Sequence, residues 1–172
     1  MNTFILIGPM GAGKTSIGRR LAEMLGLPFF DTDQEVRERA GVDIDFIFEK
    51  EGEAGFRRRE SAAFADLAGR PGVVATGGGI VLDPKNRERM KAGATVVFLE
   101  TSVDWQLART RRGRHRPLID TADPRATLAA IYEEREPLYR ECASVTVNTD
   151  GYRVASVANA VMDALRASGV QA

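Results

Sequence analysis

The 172 residues carry 24 Lys and Arg against 24 Asp and Glu with one His, a formal net charge of zero. That balance gives no general attraction to nucleic acid or to a membrane surface, and no apolar stretch approaches the ~20 residues that span a bilayer. The length matches one domain, 1–172, with enough chain to bury a substantial core, and the lone Cys142 excludes an intrachain disulfide and points to a reducing compartment.

The first apolar run, "TFILI" at Thr3 to Ile7, is continuous and β-rich, as a parallel strand buried on both faces should be. It starts within a few residues of Met1 with no basic region ahead, so no signal peptide is expected and the chain reads as cytoplasmic. Next comes "GPMGAGKTS", which places Gly8, Gly13, Lys14 and Thr15 in the spacing G-x-x-x-x-G-K-[ST] of a phosphate-binding loop. Glycines let the backbone curl so that successive N–H groups face an anion, and the following helix adds the positive end of its dipole. The residues expected to hold a polyphosphate are Gly11, Ala12, Gly13, Lys14, Thr15 and Ser16. Lys14 supplies a mobile cation and the Thr15 hydroxyl a magnesium ligand. A glycine-rich turn capped by threonine is the plainer alternative, but it does not require strand, loop and amphipathic helix in this order.

The helix after the loop carries Ile17, Leu21, Met24 and Leu25 on one face and should stop at Gly26, with Pro28 beyond. "PFFD" is a second strand, ending in the acidic pair Asp31 and Asp33. If that segment is extended, the two carboxylates point the same way at the sheet edge where ligands bind. Asp31 would then hold magnesium, while Asp33 orients an acceptor hydroxyl or takes its proton; the alternative for Asp33 is helix capping. From 33 to 70 lie about three helical segments, one capped by Asp43 and ended by Gly52, where a minimal crossover needs a single helix. The excess reads as a substrate-binding insertion.

"GVVAT" is the third strand, followed by Gly77, Gly78 and Gly79, which strip side chains from the backbone and leave amides open to a ligand. A loose link to a helix capped by Asp83 and opened by Pro84 would explain them as well. "TVVFLE" is the fourth strand. After it, Arg109 to Pro124 is basic and aperiodic, and 110–124 reads as a lid over phosphates or, more plainly, as a surface loop. "SVTVN" is the fifth strand, and Val154, Val157, Val161 and Leu165 mark a final helix; Trp105 is expected to pack a helix flank. The whole is α/β, a five-stranded parallel sheet flanked by helices in three layers.

A phosphate loop identifies a nucleotide binder, not a reaction. No guanine-reading N-K-x-D follows a strand, "DLAG" at Asp66 sits inside a helical pattern, and Glu100, closing "VVFLE", lacks the preceding aspartate of a motor ATPase.

The phosphate loop, the D-x-D after the second strand, "GEAGFRRRE", "TGGGIV", "RPLI" and "EREPLYRE" together resemble the shikimate kinase family, in its order and at similar separations, from Thr3 to about Leu165. The resemblance implies a P-loop kinase fold and ATP-dependent phosphorylation of the 3-hydroxyl of shikimate, with Mg2+, ATP and shikimate as its small-molecule partners, no nucleic-acid or membrane partner, and a monomer. It implies that Lys14, Asp33 and Arg116 serve catalysis. Asp33 and Gly77 to Gly79 would engage the ring, while Arg57, Arg135 and Arg116 hold its carboxylate, and Arg116 covers the transferred phosphate. Arg109 would border adenine, although "NTDGYR" puts Tyr152 where relatives offer an arginine. An arginine fork grips a planar carboxylate in two parallel hydrogen bonds, which lysine cannot do. The plainer reading of Arg57 is a surface pair with Glu53 or Glu60; that of Arg135 is a solvated charged face. Gluconate kinase, another small sugar-acid kinase, is the nearest rival.

Overall fold

The computed structural model describes residues 2–112 and 117–170. Strands run at Thr3–Ile7 (β1), Phe29–Asp31 (β2), Gly72–Ala75 (β3), Thr95–Glu100 (β4) and Val145–Asn148 (β5). Helices run at Lys14–Leu25 (α1), Thr32–Ala40 (α2), Ile44–Leu67 (α3), Pro84–Lys91 (α4), Val103–Thr110 (α5), Pro124–Cys142 (α6) and Val154–Ala167 (α7). Short 3-10 turns occupy Ile80–Leu82 and Pro117–Ile119. All strand pairs are parallel, in the order β2-β3-β1-β4-β5. Among the described residues no helix is long and apolar enough to cross a membrane.

The unbroken apolar run of β1 follows from its two covered faces. Phe4 and Leu6 pack with Ile17 and Leu21 of α1 and with Val157, Val161 and Leu165 of α7. Ile5 and Ile7 point the other way, onto Phe64 and Leu67 of α3, Met90 of α4 and Tyr139 of α6. Successive side chains of a strand alternate between faces, so both sets must be apolar. A separate small cluster of Val36, Ile47, Phe56 and Ala63 holds α2 against α3.

Register decides where the loops emerge. Leu6 and Asp31 both align with Ala75, and Ile7 aligns with Phe98. The loops after β1, β2, β3 and β4 therefore leave from one edge of the sheet, the carboxyl edge where ligands bind in this class.

Two local expectations change. Helix α2 begins at Thr32, so Asp33 lies in its first turn and not in an extended segment. The cap is Asp31, whose Oδ1 accepts from the amides of Asp33 (2.9 Å) and Gln34 (3.2 Å); a carboxylate there satisfies donors that have no partner within the helix. Trp105 packs only in part, with its indole against Arg109 and the turn at Gly151, and stays 41% exposed. Asp43 does occupy the N-cap position of α3, without a side-chain cap bond, and Gly52, at φ 68, breaks that helix. Asp83 and Pro84 cap and open α4 as expected.

Gly18 of α1 is a close-approach site, because a Cβ there would lie 2.7 Å from the Phe29 ring and 3.0 Å from Leu6 Cδ1. Helix propensity favours alanine by about 1 kcal/mol, whereas overpacking costs about 1–3 kcal/mol. Gly18→Ala should therefore lower stability by about 1 kcal/mol in urea denaturation; a gain would show that β2 yields freely.

Candidate active site

The loop between β1 and α1 turns through glycines with positive φ at Gly8 (148°), Gly11 (78°) and Gly13 (84°). Gly8 and Gly11 must also lack a side chain for space: their Cβ atoms would sit 2.6 Å from the Leu99 carbonyl oxygen and 2.9 Å from that of Gln106. Lys14 Nζ donates to the carbonyls of Gly8 (2.7 Å) and Pro9 (2.8 Å), folding back over the loop. Thr15 and Ser16 open to solvent at the helix start.

Thr15 Oγ1 donates to Asp31 Oδ2 at 2.7 Å, so the hydroxyl at the start of α1 and the carboxylate at the end of β2, both predicted as metal ligands, meet. The described residues hold no group of three His, Cys, Asp or Glu suited to a metal ion. Magnesium bound with polyphosphate keeps several waters and takes only one or two protein oxygens. Two hard oxygens side by side fit that demand, and Asp31 serves both as cap and as candidate ligand.

Beside the loop lies a cavity of about 780 Å³. Asp33, Arg57, Gly77 to Gly79 and Arg135 all line it, and Met10 of the phosphate loop forms part of the same wall. Gly78 is the meeting point: a Cβ there would lie 3.5 Å from Arg135 Nη1, from the Gly8 carbonyl oxygen and from the Met10 amide nitrogen. Tyr139 Oη, from α6, donates to the Gly78 carbonyl at 2.5 Å and pins this strip. Gly77 N donates to Thr32 Oγ1 at 3.2 Å.

Arg57 does make the pair with Glu60 that its spacing suggested, and it faces the cavity as well. Its Nη1 donates to Glu60 Oε2 at 2.9 Å and its Nη2 lies 3.4 Å from Glu53 Oε1. The pair is not on the surface, since Glu60 is only 1% exposed. Burial pushes the Glu60 carboxyl up from the ordinary glutamate range; the Arg57 guanidinium opposes the rise and Asp33 adds to it. A Cβ on Gly79 would strike the Arg57 guanidinium, and one on Gly77 would strike Glu60 Oε1. A side chain at Gly77 or Gly79 would therefore displace the Glu60 carboxylate or the Arg57 guanidinium, apart from any ligand. Arg135, 5% exposed, is no solvated face either. Arg57 Nε, Glu60 Oε1 and Arg135 Nε are buried with no hydrogen-bond partner among the described residues.

The sequence reading treated Glu60 only as a surface partner and passed over Tyr139. Both had a signal in helical period: Glu60 falls on the buried stripe Phe56, Ala63, Phe64 and Leu67 of α3, and Tyr139 shares the α6 stripe Leu128, Arg135 and Cys142. Charged residues on such a stripe are buried and need partners.

Arg109 stands apart from that cavity, on the other flank of the phosphate loop. Its Nη1 donates to the Gly11 carbonyl (3.1 Å) and Thr149 Oγ1 (3.0 Å), and its Nη2 to the Thr149 carbonyl (2.7 Å). Tyr152, 63% exposed, follows in the same turn. Glu100 is engaged by Arg140 at 2.5 Å. Arg116 and most of the proposed lid's basic run, 113–116, lie outside the described residues. Leu118, just after them, lines the cavity.

A sequence profile of the family described as shikimate kinase matches residues 10–166. The shikimate kinase of Halorhodospira halophila is 52% identical over 162 residues, covering 94% of this chain and 92% of its own. The structure of shikimate kinase from Acinetobacter baumannii in complex with shikimate superposes with a TM-score of 0.95 at 41% identity, over 99% of this chain and 96% of that one. A gluconokinase from Sinorhizobium meliloti, at 22% identity and a TM-score of 0.64 over 96% of this chain and 92% of its own, shares the fold alone. On the profile match and on this identity across nearly its full length, the chain belongs to the shikimate kinase family.

Proposed function

We propose that the protein transfers the γ-phosphate of ATP to the 3-hydroxyl of shikimate, giving shikimate 3-phosphate and ADP, in aromatic amino-acid biosynthesis. The observation that carries this reading is the cavity wall on which two guanidinium groups, half-buried Arg57 and buried Arg135, stand beside Asp33 and close to the phosphate loop. A small ring acid with a planar carboxylate and several hydroxyls suits that wall, and it would satisfy the donors left at Arg57 and Arg135.

Phosphoryl transfer asks for positioning and charge neutralisation more than for covalent chemistry. Amides of Gly11 to Ser16 hold the phosphates, and Lys14 leaves its two loop carbonyls to reach the outermost ones. Thr15 and Asp31 would hold Mg2+, which would offset phosphate charge. Arg57 and Arg135 take the carboxylate, Gly77 to Gly79 face the ring with bare backbone, and Asp33 orients the attacking hydroxyl or accepts its proton. Arg116, on the lid 110–124, covers the transferring phosphoryl, and closure over the site excludes water. The segment 33–70 acts as the acceptor-binding insertion. We assign the enzyme to the cytoplasm, as a monomer.

The direct test is ADP release from ATP and magnesium with shikimate or gluconate added separately. Shikimate alone should stimulate it; stimulation by gluconate, or by neither acid, contradicts the assignment.

Replacing Arg57 by alanine would strand Glu60, a buried charge without a partner, at about 3–5 kcal/mol. Arg57→Lys keeps the charge and loses the fork. With hydrogen bonds to charged groups at about 1.5–3 kcal/mol, KM for shikimate should rise about tenfold or more, and KM for ATP should move far less. An unchanged shikimate KM in the folded variant would remove Arg57 from the acceptor site.

A further inference from the structure

Trp105 is the chain's only tryptophan, and it stands largely in water on α5. One helical turn on, Arg109 lies with its guanidinium carbon 5.4 Å from the indole centroid, within cation–π range. Three hydrogen bonds from that guanidinium run to Gly11 of the phosphate loop and to Thr149. A Cβ built on Gly151 would lie 3.7 Å from Trp105 Cζ2, so the indole reaches both Arg109 and the turn between β5 and α7.

Sheet order says what this corner faces. The phosphate loop rises from central β1; the acceptor cavity draws on the loops after β2 and β3, on one flank. A triphosphate held over β1 with its terminal group toward that cavity must send its nucleoside to the opposite flank, above β4 and β5. Arg109, Trp105 and the Thr149–Tyr152 turn are the groups standing there.

We propose that Trp105 is a positioning residue for the nucleoside half of ATP: its indole braces one face of the Arg109 guanidinium and leaves the other for a purine base. The proposal rests on the reading that Arg109 borders the base. An ordinary helix-surface pair at this spacing would support α5 slightly and leave nucleotide binding untouched.

ADP and pyrophosphate separate base from phosphate contacts, and Trp105 reports on its own surroundings. ADP should shift or quench the intrinsic emission of the unaltered protein, whereas pyrophosphate should not. Trp105→Ala should bind ADP roughly fivefold to tenfold more weakly while holding pyrophosphate, and should raise KM for ATP more than it lowers kcat. Trp105→Phe, which keeps an aromatic face, should recover most of the ADP affinity. Unchanged emission with ADP together with unchanged ADP affinity in Trp105→Ala overturns the proposal, as does an equal loss of ADP and pyrophosphate. Arg109→Ala separates the two readings. If it loses ADP affinity while Trp105→Ala does not, only the brace falls; if it binds ADP normally, the assignment of Arg109 to the base falls with it.

Discussion

The arrangement turns on a buried ion pair pressed against bare backbone. Glu60 is enclosed, and an isolated carboxylate there would carry a desolvation cost of several kcal/mol; Arg57 offsets it at 2.9 Å. That contact is pressed close against Gly77 and Gly79, where a Cβ would displace one partner of the pair. The same pair fixes the Arg57 fork against the cavity wall. A long side chain that would otherwise lose much rotamer entropy on binding a ligand is thus held in place beforehand. Nothing in this requires the pair itself to stabilise the fold: removing one member is costly, whereas replacing both by apolar groups need not be.

Gly78 joins this acceptor wall to the phosphate loop. Its position beside the Gly8 carbonyl, the Met10 amide and Arg135 makes the two halves of the site a single crevice. Tyr139 holds the strip from behind, through the Gly78 carbonyl. On the proposed reading, the order β2-β3-β1-β4-β5 divides the labour, with the acceptor on one flank, phosphates over β1 and the nucleoside on the other. Parallel pairing makes this possible, because it brings the loops that follow every strand to the same edge.

Much of this was legible in the residues. The doubly apolar β1, the glycine–lysine–threonine spacing and the stop at Gly26 each follow from local rules, and each stands where those rules put it. The extra helices before β3 could be read as an excess over a minimal crossover. Harder to read was the difference between charged residues that face water and those that do not. Arg57 and Arg135 sit in runs rich in charge, and only the inward stripe of each helix separates them from neighbours such as Arg58 and Glu134. Glu60 is hidden for the same reason, and the acidic pair because helix α2 starts at Thr32, two residues sooner than an extended segment through Asp33 allows, which makes Asp31 the cap. Tertiary contacts of this kind are invisible to periodicity: Gly78 and Tyr139 are 61 positions apart.

One distance decides whether the two halves of the site act on one another. In a crystal structure of the protein with shikimate and a non-hydrolysable ATP analogue, the ring carboxylate should lie on Arg57 and Arg135, with the 3-hydroxyl oxygen about 3–3.5 Å from the γ-phosphorus, the range of a near-attack geometry. An acceptor bound away from these arginines, or one whose hydroxyls all point away from the phosphate loop, would contradict it.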